Sequence, residues 1–95
     1  MDCVELFPSL SHCIETIARE EFWNSVKQYM GSGHKDKKLE ERIELLKAFL
    51  ESTDFKKLRS QSEEYLIDGK RVKFVICRIE EELNYEMVVI EDSEA

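Results

Sequence analysis

The run Glu64-Tyr65-Leu66-Ile67-Asp68-Gly69-Lys70-Arg71-Val72-Lys73-Phe74-Val75-Ile76-Cys77-Arg78-Ile79 contains a change of period. Upstream, apolar residues recur every three or four positions; from here on they recur every two. Residues 64–67 and 70–79 read as two strands joined at Asp68-Gly69, because Asp-Gly accepts the positive φ angles of a two-residue turn whose twist matches its strands. Tyr85 to Glu91 supplies a third strand after the acidic turn Glu80-Glu81-Glu82, completing a meander.

Working back from that run, Ser52-Thr53-Asp54 stops one helix and caps another, and Phe55 and Leu58 predict a short third helix to about Gln61. The second helix follows a cap at Asp36, with Leu39, Ile43, Leu46 and Leu50 in one stripe and Glu40, Glu41, Glu44 and Lys47 opposite. Gly31-Ser32-Gly33 closes the first helix, which the caps Ser9 and Ser11 place near residue 9 or 10, with Glu15 set to pair with Arg19. Its apolar stripe shifts: Leu10, Cys13, Ile14, Ile17 and Ala18 form one face, and Phe22, Trp23, Val26, Tyr29 and Met30 another, more than 100° around. Either the helix bends or breaks near residues 19 to 21, or its second half meets a different layer or a second chain. The predicted class is α+β: two main helices and a short third helix, then a three-stranded antiparallel β-meander, all within one domain spanning 1–95.

Both faces of that sheet read as apolar. Val72, Phe74 and Ile76 oppose Val75, Cys77 and Ile79, and Met87 and Val89 oppose Val88 and Ile90. A three-stranded sheet covered on one side normally shows polar residues on the other, so the second face calls for a cover. Three covers are open: the two long helices wrapping both sides, a second copy of the chain, or pairing of the last strand with its twin across a two-fold axis. A homodimer is the expected state. Phe22, Trp23, Tyr29 and Met30 are of the types enriched at interface centres, although a large apolar helix face is more commonly ordinary core.

The chain has 95 residues, 42% hydrophobic and 37% charged, with one proline and three glycines, a folded rather than disordered composition. Its longest apolar run, Met87 to Ile90, is far short of a bilayer span, and the amino terminus lacks a basic-then-apolar signal. Cys3, Cys13 and Cys77, odd in number and widely spaced, suit reduced thiols and a cytoplasmic location. Two asparagines and two glutamines beside 35 charged side chains is a balance common in thermophilic sources. The net charge of −7 disfavours nonspecific binding to DNA or anionic lipid by the surface as a whole.

No stretch carries a chemistry-specific motif. The soft ligands Cys3, His12, Cys13, His34 and Cys77 include no closely spaced pair of the kind that chelates zinc, so no metal and no cofactor are expected. Gly31-Ser32-Gly33-His34-Lys35 has a faint likeness to a phosphate loop, but it lacks the full spacing and Asp36 would repel an anion. Glu40, Glu41 and Glu44 read as solvated charges, and Glu80-Glu81-Glu82 as an exposed turn.

One charge pattern stands apart. Lys56, Lys57, Arg59, Lys70, Arg71, Lys73 and Arg78 face only Glu63, Glu64 and Asp68, seven basic against three acidic side chains, so this segment is net +4 and the remainder −11. A basic short helix followed by a basic hairpin resembles, in architecture alone and over about residues 39 to 91, the recognition helix and wing of winged-helix DNA-binding domains. The expected function is that of a noncatalytic protein acting through self-association or protein–protein contact, using Phe22, Trp23, Tyr29, Met30, Met87 and Val89. The alternative is a nucleic-acid-associated module using Lys56, Lys57, Arg59, Lys70, Arg71 and Lys73. An enzyme is least favoured, since no residues show acid–base or nucleophile spacing.

Overall fold

A computed structural model describes residues 3–90. The elements run β1 (Cys3–Leu6), α1 (Ile14–Gly31), α2 (Lys37–Ser52), α3 (Phe55–Ile67), β2 (Arg71–Ile79) and β3 (Glu82–Ile90). Three helices and a three-stranded antiparallel sheet make the expected α+β class. The third strand, however, comes from the amino terminus: the sheet order is β1-β2-β3, with β2 central. Cys3-Val4-Glu5-Leu6 alternates polar and apolar character, and Val4 and Leu6 face Ile76 and Phe74 across the ladder.

The segment 64–67 is helix rather than strand. Leu58, Ser62, Tyr65 and Leu66 keep a helical stripe, with Leu58 and Ser62 buried, so α3 is a full 13 residues instead of a short turn ending near Gln61. Asp68-Gly69 therefore stops a helix: the Gly69 amide bonds Leu66 O, the Lys70 amide bonds Tyr65 O, and Gly69 takes φ 82°. The same positive φ serves a helix cap and a hairpin turn, which is why the dipeptide alone does not separate them.

The hairpin lies one element later. Ile79 pairs with Glu82 across a two-residue turn in which Glu80 and Glu81 adopt φ 51° and 68°. Side chains with a Cβ are disfavoured there, by about 1–2 kcal/mol each. Glu81→Gly is expected to raise stability by about 1 kcal/mol in urea unfolding; an unchanged or lowered midpoint would contradict the left-handed turn. Glu91, the expected end of the last strand, lies outside the described residues.

All three helices lie on one sheet face. Val4, Leu6, Val72, Phe74 and Ile76 are buried with Ile14, Ala18, Leu45, Leu46, Phe49 and Leu58. The other face carries Val75, Val88, Ile90 and Ile79 among Arg71, Lys73, Glu5 and Glu86, and no described side chain on it is buried. The helices do not wrap both sides. Lys73 Nζ meets Glu5 Oε2 at 2.6 Å on this open face, making it less apolar than strand alternation alone suggests.

Cys3 and Cys77, directly opposed on the open face, form a disulfide across 74 residues of sequence, which corrects the reading of three reduced thiols. Sequence spacing is a poor guide here because antiparallel pairing, not proximity along the chain, brings the two sulfurs together.

Candidate functional site

Helix α1 starts at Ile14, later than its serines suggest. Ser9 and His12 exchange amide and carbonyl bonds (2.8 and 3.2 Å) and the Ser9 hydroxyl accepts from the His12 amide, closing a turn that leaves Leu10 exposed. From Ile14 to Gly31 the helix is unbroken, so the shift of its apolar stripe is not a break.

The buried stripe continues in register through Ile14, Ala18 and Ser25 but changes chemistry. Ser25 is 3% exposed; Arg42 of α2 donates to its hydroxyl at 3.2 Å and to Glu21 at 2.8 Å. Farther along, Tyr29 donates to Glu40 at 3.2 Å and meets the His34 ring edge-on. Desolvation, and then the Glu40 carboxylate, hold the Tyr29 phenol above its ordinary pKa. The molecule measures 44 × 25 × 24 Å. Fully buried core residues of α1 and α2 cluster at Ile14–Ala18 and Leu45–Phe49; farther along, these polar contacts join the two helices beside half-buried Val26, Leu39 and Ile43.

While Ser25 lies inside, two large apolar side chains of the same helix lie outside. Trp23 is 59% and Met30 61% exposed. At roughly 100° per residue Trp23 projects about 160° from Ser25, almost opposite the buried stripe. Phe22 packs between the core and the Trp23 ring, edge-to-face at 5.3 Å, and Val26 is half-buried. A shallow hollow beside Trp23 is lined by Thr16, Arg19, Glu20, Asn24 and Lys27.

A protein-family model for an uncharacterised family matches residues 4–91. The chain belongs to that family. Its match takes in all three helices and both long strands, so the outer face of α1 lies within the matched region. No curated protein and no solved structure matches the chain.

Of the six predicted interface residues, Trp23 and Met30 are displayed, Phe22 props Trp23, and Tyr29 turns toward the α1–α2 connection. Met87 and Val89 fall on the sheet face under the helices, and Met87 packs against the core. Alternation along β3 placed them on a face without saying which face the helices cover.

The six predicted basic residues do not converge on one surface. Lys56, Lys57 and Arg59 sit in the first half of α3, a helix about 20 Å long, whereas Lys70, Arg71 and Lys73 follow its far end. Lys73 is paired with Glu5, Lys70 approaches the Tyr65 ring at 6.0 Å, and Arg78 lies 3.6 Å from Glu44. A hairpin does follow α3, but its tip is Glu80-Glu81, negative where a wing that grips phosphate needs positive charge.

A grouping that sequence reading missed surrounds Cys13, the residue before α1. Its thiol is 3.3 Å from the Thr16 hydroxyl, and Arg59 of α3 lines both hollows that Cys13 borders. The Thr16 hydroxyl first, then the Thr16 amide, hold the thiol below its ordinary pKa; Arg59 adds to this and partial burial opposes it. Nothing in the sequence signals this grouping: the caps it suggests for the first helix are Ser9 and Ser11, and Arg59 lies 46 positions on from Cys13. Among the described residues, no three His, Cys, Asp or Glu side chains are placed to hold a metal ion, and no helix is long and apolar enough to cross a membrane.

Proposed function

We propose that the protein is noncatalytic and works by association with another protein surface through the outer face of α1. One observation carries this reading: the helix buries Ser25 while displaying Trp23 and Met30. Hydrophobic burial worth about 1.5–3 kcal/mol per large side chain is left unused in the isolated chain, and aromatic residues of this kind dominate interface energetics. Phe22 stiffens the Trp23 ring from below, which lowers the entropy lost on docking.

A photo-crosslinking residue replacing Met30, activated in intact cells, is expected to give discrete adducts, while the same probe at exposed Ser60 on α3 gives none. Equal labelling from the two positions would count against α1 as the contact face.

The nucleic-acid reading retains less support, because its basic residues are divided between the first half of α3 and the segment beyond its far end, and Lys73 is paired with Glu5. Its mark would be binding that falls steeply with salt. The cytoplasmic expectation rested in part on unpaired thiols, and the Cys3–Cys77 bond withdraws that part of its support.

A further inference from the structure

We infer that the surface seated on α1 is a second copy of this chain, its α1 antiparallel to the first across a two-fold axis near Trp23; this rests on the reading of α1 as the contact face. Thr16, Glu20, Trp23, Lys27 and Met30 follow one another at alternating steps of four and three residues, the spacing of a helix–helix seam. Trp23 stands at the middle of that series.

The charges choose the orientation. Glu20 and Lys27 lie on the same face seven residues apart, about 10 Å, too far to bond each other. Neither forms an ion pair within the described chain, unlike Arg19, which is bonded to Glu15 at 2.8 Å. In an antiparallel pair centred on Trp23, Glu20 lies beside the partner's Lys27, and Lys27 beside the partner's Glu20. Thr16 then meets the partner's Met30 at each end, and each Trp23 borders the hollow next to the other. A parallel pair would set Glu20 against Glu20 and Lys27 against Lys27, which costs rather than contributes. The seam itself is locally neutral, with one acid and one base per chain, so two molecules of net charge −7 can meet there with their excess charge elsewhere.

Sedimentation equilibrium on the full chain, with circular dichroism to verify folding of each variant, tests the arrangement. The expected mass is twice the 11.3 kDa chain. Lys27→Glu should raise the dimer Kd at least about tenfold by placing four carboxylates around the axis. The double variant Glu20→Lys/Lys27→Glu, which exchanges the charges, should return the Kd to within about threefold of the original. A wild-type monomer at all concentrations would overturn the second copy as occupant. A dimer indifferent to Lys27→Glu, or unrestored by the exchange, would overturn the antiparallel seam. Loss of the Met30 adduct in cells would instead remove the underlying reading, and a Met30 adduct of heterologous mass beside a monomeric pure protein would leave that reading standing without this partner.

Discussion

Replacing Phe74 by alanine is expected to cost about 3–5 kcal/mol, enough to consume most of the stability of a chain this small. Phe74 is fully buried at the centre of the middle strand, with Leu6 opposite on one side and Met87 on the other. Three elements thus converge on one ring, and a cavity there cannot be closed by moving a single neighbour. Urea unfolding followed by circular dichroism measures the loss. Val75→Ala, one residue along but on the open sheet face, should cost less than about 1 kcal/mol. Similar costs at both positions would mean that the second face is covered in solution and that the sheet, not α1, is where a partner sits.

Reducing the Cys3–Cys77 disulfide should lower stability by about 2–4 kcal/mol, because a cross-link spanning 74 residues removes much of the unfolded chain's freedom. The loss should be uneven. β1 has only four residues and is an edge strand, so its amides should exchange faster on reduction while the longer β2–β3 ladder keeps its protection. Hydrogen exchange with and without a reductant, repeated on the Cys3→Ser/Cys77→Ser variant, reads both effects. If stability and β1 exchange were unchanged by reductant, the two sulfurs would not be joined in solution.

The exposed residues of α1 and the disulfide were unequally legible for the same reason. Trp23 and Met30 could be singled out because their spacing departs from the stripe formed by Ile14 and Ala18, a mismatch visible within one helix. That the helix buries Ser25 depends on Arg42, which reaches from α2 to bond Ser25 and Glu21, contacts spanning some twenty positions. Cys3 and Cys77 likewise meet only because β1 returns to pair with β2.

What the sequence determined by itself is local. The caps at Asp36 and Asp54, the stripe of α2, the alternation along β2 and the Glu15–Arg19 pair all depend on neighbours within a turn or two, and each is present as the residues indicate. The tertiary structure decided the rest: that Cys3–Leu6 is the third strand, that Asp68-Gly69 ends a helix, that Met87 faces the core, and that Arg59 lies beside Cys13. A glycine with positive φ serves a cap and a turn equally well, and alternation defines two faces without ranking them. Only the packing of distant elements onto one side of the sheet breaks those symmetries.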